Sequence, residues 1–166
     1  RNPETFSNIS EFTNQNVQLV IDDPRLTDPS AAEKVRRVIL CSGKVYYTLD
    51  AARQKASLAD VALVRLEQLY PFPQKQLEAV LARYRRRQEV NWCQEEPQNR
   101  GAWRYIDPIL RELLPDNLVR YFGREASASP AAGSPKVSDM EEQMFVKDAL
   151  ELDKPSTNIA QPAVSK

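Results

Sequence analysis

Four groups of residues in this chain have the types and spacing to do chemistry. Ser42-Gly43-Lys44 lies between an apolar run and a helical pattern, where backbone amides could meet a phosphate. The full phosphate-loop spacing needs an earlier glycine ahead of Gly43-Lys44, and that glycine is missing. A plain turn from strand to helix is the favoured reading. Glu95-Glu96 is a pair of adjacent carboxylates that could share acid–base work, because each perturbs the other. With no histidine or ligand set beside it, the pair reads as exposed carboxylates ahead of a helix. Arg83, Arg85, Arg86 and Arg87 resemble a nucleic-acid patch. At the C-terminal end of an expected helix they read instead as a solvated cap that suits the helix dipole. Arg124 and the small, polar stretch that it opens, REASASPAAGSP, are candidates for an interface, and a mobile surface loop accounts for them equally well.

The absence of histidine from the 166 residues excludes more than these motifs propose. Ser-His-Asp and Cys-His catalysis within this chain are ruled out. So are zinc sites containing histidine, and two cysteines are too few for an all-thiolate one. Cys41 and Cys93 each fall in an expected strand and read as reduced core thiols, not as a disulfide or a nucleophile. A reducing, cytoplasmic compartment is therefore expected. The 23 basic residues balance 23 acidic ones, which argues against a general nucleic-acid surface. No apolar run approaches the ~20 residues that span a bilayer, and no signal-peptide pattern opens the sequence. Neither nucleic acid nor membrane is an expected partner. The length suits one ordinary domain with a real core and some tail. Arg1-Asn2-Pro3 does not read as a natural start, so a piece of something longer is expected.

The elements that must position these residues form a repeating unit of strand, loop and helix. Its centre is DVALVRLEQLYPFP, residues 60–73. Val61–Arg65 reads as a strand because Val61, Ala62, Leu63 and Val64 are apolar without helical spacing, the mark of a strand buried on both faces of a parallel sheet. Pro71 and Pro73 lack amide donors and force the chain out of the ladder. Pro73 then opens a helix with Leu77, Val80, Leu81 and Tyr84 on one face. Before this unit come a strand VRRVILC over 35–41 and a helix from Lys44 to about Lys55, with Val45, Leu49 and Ala52 inward. After it come a strand at 90–93 and a short first helical turn, then a main helix capped near Asp107 with Pro108 next, with Trp103, Ile106, Leu110 and Leu113 on one face. A strand at 118–122 and a final helix follow. Ser138 and Glu141 fit a capping box for that helix, with Val137, Met140, Met144 and Ala149 in register.

Residues 1–34 read as a connecting segment from a preceding domain, with Val17–Ile21 an edge strand or a helical turn. Residues 35–150 read as the α/β domain, and 151–166 as a disordered tail. The fold class expected is α/β, a three-layer sandwich around a mostly parallel sheet. Phe6, Ile9, Phe12, Tyr70 and Phe72 are candidates for an exposed apolar docking face.

Four strand-to-loop junctions, VRRVILCSGKVYYTL, VALVRLEQLYPFP, VNWCQEEPQNRGAW and YFGREASASPAAG, closely resemble the C-terminal domain of the decarboxylating component of 2-oxoglutarate dehydrogenase. The resemblance covers about Phe6 to Leu150 and is nearer to bacterial members in the wording around Pro97 and Ala102-Trp103. It implies a transketolase C-terminal-like domain of a homodimeric thiamine diphosphate enzyme. Such a parent decarboxylates 2-oxoglutarate in the citric acid cycle and passes the succinyl unit to the lipoyl group of dihydrolipoyl succinyltransferase. Thiamine diphosphate and Mg²⁺ would then be bound by domains absent from this chain, so the resemblance implies no catalytic residue here. Some relatives bind an acetyl-CoA or AMP effector near this domain. Gln68 matches an effector position, and Lys75 keeps a charge usually carried by arginine. Asn16, Leu19 and Gln76 depart from the effector-binding pattern. The alternative reading is a free-standing nucleotide-binding or interaction module that has the same fold and no catalysis.

Overall fold

The computed structural model describes Ile9, Thr13 and residues 17–129 and 132–152. Its centre is a five-stranded sheet made of β1 (Val20–Ile21), β2 (Arg37–Cys41), β3 (Val61–Leu66), β4 (Glu89–Cys93) and β5 (Tyr121–Phe122). They lie in the order β1-β3-β2-β4-β5. β2, β3, β4 and β5 run parallel, and β1 pairs antiparallel with β3 at the edge. Side chains alternate across the strands, so one face buries Val38, Leu40, Ala62, Val64, Val90 and Trp92. The other buries Ile39, Cys41, Leu63 and Cys93. Both sets are covered, which is why the central strands are apolar without interruption.

The helices are α1 (Pro29–Ala32), α2 (Val45–Lys55), α3 (Gln74–Leu81), α4 (Trp103–Leu113) and α5 (Pro135–Leu150). Leu77 and Leu81 of α3 and Trp103, Ile106 and Leu110 of α4 pack on the first face, beside Ala32 of α1. Val45 and Leu49 of α2 pack on the second face with Phe145, Val146, Ala149 and Leu150 of α5. This is the three-layer α/β sandwich with a mostly parallel sheet, of the transketolase C-terminal-like kind.

Several local expectations change. α4 begins at Trp103, not after Asp107, and Pro108 lies inside it. Its start is supplied from a distance, because the Gln94 side-chain oxygen accepts the amides of Ala102 and Trp103 at 3.1 and 3.0 Å. Asp107 pairs instead with Arg111 one turn on. α5 begins at Pro135 after Ser134, so Ser138 and Glu141 are no capping box. Both face Arg124, which donates to the Ser138 hydroxyl at 2.7 Å and approaches Glu141 at 3.1 Å. Val137, Met140 and Met144 are exposed; Ala149 points inward as expected, joined by Phe145, Val146 and Leu150. The expected strand at 118–122 shrinks to two residues because the Arg120 amide turns to the Asn91 side chain. Pro73 is the cap of α3, and the helix ends at Leu81, ahead of the arginine run.

Residues 17–34 do more than connect. β1 extends the sheet, and the Asp23 carboxylate beyond it accepts the Leu63 amide at 2.8 Å, where the antiparallel ladder has run out. Asp23 also pairs with the buried Arg53, which reaches Asp50 at 2.7 Å and the Val61 carbonyl at 3.1 Å. At the far end Glu151, expected in the tail, pairs with Arg37 and Arg120. Phe6 and Phe12 and the tail after Leu152 lie outside the described residues.

Candidate functional site

β2 and β4 are neighbours, yet their chains leave toward opposite faces of the sheet, β2 into α2 and β4 into α4. An open α/β sheet has its ligand crevice at such a point, outside the carboxyl ends of the strands. A cleft of about 670 Å³ lies there. Ser42, Gly43 and Lys44 form one wall, Gln94, Glu95 and Glu96 another, and Tyr70 and Tyr105 flank it. Two of the four sequence candidates thus meet, since the turn at Gly43 and the carboxylate pair share this cleft.

Each wall has a local reason for its shape. Gly43 sits at φ +70°, a left-handed conformation that lets β2 turn sharply into α2. Gln94 is buried and organises the loop from 94 to 103. Its oxygen accepts from the Trp92 indole at 2.8 Å as well as from the α4 amides, and its nitrogen donates to Arg100 O at 2.8 Å. Gly101, at φ +62°, packs against that amide so closely that an added Cβ would lie 2.8 Å from its nitrogen. Tyr70 is 83% exposed on the proline loop, ahead of a cis bond to Pro71.

The polar groups of the cleft are unequally engaged. Gln94 is saturated. The Glu95 carboxylate lies 3.9 Å from the Lys44 ammonium, and its second oxygen is buried with no hydrogen-bond partner among the described residues. Cys41 and Cys93, the last residues of β2 and β4, are paired in register and buried in the core on the second face. Burial raises both thiols, Cys41 well above the ordinary range and Cys93 to about 12. They are core thiols and not nucleophiles, as the sequence reading holds.

The other candidates stand elsewhere. The Gln68 amide donates to the Pro71 carbonyl at 2.8 Å, bracing the proline loop from its outer side. Lys75 is exposed in the first turn of α3, a helix with no side-chain cap and no acidic residue in that turn. Neither lines the cleft. The arginine run splits up. Arg83 pairs with Asp22, and Arg87 donates to the Leu81 and Tyr84 carbonyls, closing the end of α3. Arg85 and Arg86 are exposed. Arg124 and the loop after it border a second groove, of about 560 Å³, against α5. Sequence reasoning missed Gln94 and Tyr105. Gln94 is one of several polar residues in the stretch after β4, and its six side-chain partners are set by the fold. Tyr105 stands in a stretch read as the approach to a later helix, so its place on the cleft could not be seen.

Comparison with known proteins matches residues 6–150 to the family described as 2-oxoglutarate dehydrogenase C-terminal. A 2-oxoglutarate dehydrogenase E1 component of Geobacillus sp. is 43% identical over 90% of this chain and 16% of its own length. An oxoglutarate dehydrogenase of Buchnera aphidicola is 40% identical over 92% of this chain and again 16% of its own length. A multifunctional 2-oxoglutarate metabolism enzyme of Mycobacterium sp. is 41% identical over 90% of this chain and 12% of its own. The chain therefore spans about a sixth or less of these curated relatives. The resemblance at the four junctions extends over nearly the whole chain, and the protein belongs to the 2-oxoglutarate dehydrogenase C-terminal family.

Proposed function

We propose that this chain is the C-terminal structural and regulatory domain of a 2-oxoglutarate dehydrogenase decarboxylating component. One observation carries the reading: nine-tenths of the chain aligns with E1 components of which it spans only 16%. The parent would use thiamine diphosphate and Mg²⁺ to decarboxylate 2-oxoglutarate in the cytoplasm and succinylate a lipoyl group on dihydrolipoyl succinyltransferase. The residues described here do not fit that cofactor. Among them no three His, Cys, Asp or Glu side chains group to hold a metal ion. In this reading the cofactor chemistry belongs to domains outside this chain, and the role of this domain is to pack on them and support a homodimer.

The test is turnover. The isolated chain, given thiamine diphosphate, Mg²⁺ and 2-oxoglutarate, should release no carbon dioxide above background. The E1 polypeptide containing it should do so and should lose activity when residues 1–166 are deleted. Reproducible turnover by the pure chain, or full activity in the deletion, overturns the reading.

The regulatory part rests on Gln68 and Lys75. Lys75 supplies a point charge beside an uncapped helix start, which suits the phosphate of an acetyl-CoA or AMP effector. Gln68 can donate and accept toward a base or amide, although its donor now holds Pro71. Lys75→Ala in the full-length dimer should weaken binding of AMP or acetyl-CoA by calorimetry, with added salt mimicking the loss. Equal binding after the substitution removes both residues from the role. The free-standing module remains the second reading because residues of this chain alone line a cleft between β2 and β4.

A further inference from the structure

The cleft between β2 and β4 has a chemical character different from that of the Lys75 helix start. Its charged groups are Lys44, Glu95 and Glu96, a net negative set, so a phosphate would meet more repulsion than attraction there. Its flanks are two phenol rings, with Tyr70 83% and Tyr105 40% exposed, and its floor includes the Trp92 indole. The floor has no hydrogen-bonding capacity to offer, since Trp92 and Gln94 satisfy one another and the 94–103 loop. Besides the hydroxyls of Ser42 and the two tyrosines, what remains is carboxylate. Glu95 has one oxygen with no partner and the other at a loose 3.9 Å from an exposed ammonium. An unpaired buried acceptor is costly, and a charged donor that reaches it removes that cost.

We propose that this cleft binds a guanidinium group, that of an arginine either free or carried on a polypeptide. A guanidinium is flat, so it stacks on a tyrosine face while its paired N–H groups meet a carboxylate side by side. A lysine ammonium offers the charge without the plane and fits less well. Glu95 presents both oxygens by turning its terminal torsion, which is broad and soft. Lys44, 72% exposed, swings away as the incoming cation replaces it. The site is separate from the proposed effector position, because neither Gln68 nor Lys75 lines it.

The test uses the fluorescence of the chain's two tryptophans, one of which lines the cleft. The probes are Nα-acetyl-arginine amide, its citrulline counterpart with the same shape and no charge, and a blocked Gly-Arg-Gly peptide. The arginine probe should saturate and the citrulline probe should not. Glu95→Gln and Tyr70→Ser should each weaken arginine binding at least fivefold (roughly 1 kcal/mol) with thermal unfolding unchanged. Lys75→Ala should leave it as it was, which separates this inference from the effector reading. A peptide that binds tenfold tighter than the amide assigns the guanidinium to a partner polypeptide, and equal or weaker binding assigns it to a small molecule. The proposal is overturned if arginine and citrulline probes behave alike, or if both substitutions leave binding intact.

Discussion

Two polar regions of this molecule are built on opposite plans. At the β1 edge, Asp22, Asp23, Arg25, Asp50, Arg53 and Arg83 engage one another, and little capacity is left over. Arg53 and Asp23 are 4% and 0% exposed at the side chain, and their pair also holds the Leu63 amide and the Val61 carbonyl. Arg25 closes the set by a forked contact to Asp50 at 3.0 and 3.2 Å. At the rim of β2 and β4 the charges are exposed, loosely paired or unpaired. A closed network fixes position and offers nothing to a ligand, whereas an open one contributes little to stability and can bind. The sheet edge is thus where the fold is locked, and the rim is where it can act.

The strongest way to break this contrast is Asp23→Ala. It removes one of the two carboxylates that hold the buried Arg53 guanidinium, leaving only Asp50, and leaves the Leu63 amide without its acceptor. Breaking a buried pair by removing one partner costs about 3–5 kcal/mol, a large share of a small domain's stability. Urea unfolding should show that loss, and a change below 1 kcal/mol would mean that the corner is not a lock.

Acid should loosen the same corner. Burial opposes the charge of Asp50, but hydrogen bonds from Arg25 and Arg53 outweigh it and hold the carboxyl below its ordinary value. Glu89 is likewise held low against burial, by Asn91, Arg120 and Arg37. A depressed folded pKa gives stability that is complete above the unfolded value of about 4 and is lost as pH falls through the folded one. Thermal midpoints should therefore be flat from neutral pH down to about 5 and fall below about 4. Asp50→Asn should flatten the acid limb, and an unchanged limb would move the acid sensitivity elsewhere.

Gln94→Leu sharpens the comparison from the other side, because Gln94 is the closed part of the rim. The change leaves the Trp92 indole, the start of α4 and the carbonyls of the 94–103 loop without their partner. Each unsatisfied buried group costs about 1–3 kcal/mol, but these relax together, so a total of about 2–4 kcal/mol is expected. The indole environment should change with it, read as a shift in tryptophan emission.

These regions also separate what was legible in the sequence from what was not. The central strands, the helix faces of α2 and α4 and the turn at Gly43 follow from local period and composition. Those signals are carried by neighbours a few residues apart. The Asp23 corner carries no local signal of its own, because Asp22-Asp23-Pro24 has the composition of a turn. Its partners, Arg53 and Leu63, are 30 and 40 residues away. The start of α4 failed for the same reason: its cap is Gln94, a side chain from the strand before it, so the sequence offered Asp107 and Pro108 instead. On α5 the expected stripe of Val137, Met140, Met144 and Ala149 holds only at Ala149, and its other three residues are exposed. The sheet chose Phe145, Val146, Ala149 and Leu150, and a period alone does not say which stripe faces inward. Of the cleft, Ser42-Gly43-Lys44 and Glu95 were visible as motifs, and their meeting needed the strand order.

Gly43→Ala should have an intermediate effect. A methyl group at this turn meets nothing within 4 Å, so no packing is lost. What changes is the backbone, held at φ +70° where an alanine is strained by about 1–2 kcal/mol. A loss of that size with an unchanged core would confirm that the rim's geometry depends on one residue's conformation. A loss near zero would mean that the turn readily adopts another path into α2.

Lys44→Ala should be the mildest change. Lys44 is 72% exposed and, among the described residues, its carboxylate contact is to Glu95 at 3.9 Å, near the limit of an ion pair. Exposed pairs of this kind contribute about 0–1 kcal/mol, and the ordering of a long side chain offsets part of that. The residue caps α2 without a side-chain hydrogen bond, so no helix contact is lost with it. Stability in urea should stay within about 0.5 kcal/mol of the parent chain, and the small difference should shrink further in salt. A loss comparable to that of Asp23→Ala would place Lys44 in a tight network and erase the distinction between the two regions. Near-neutrality, set beside the large cost at the corner, keeps the rim as the part of this sheet whose charges are available for binding.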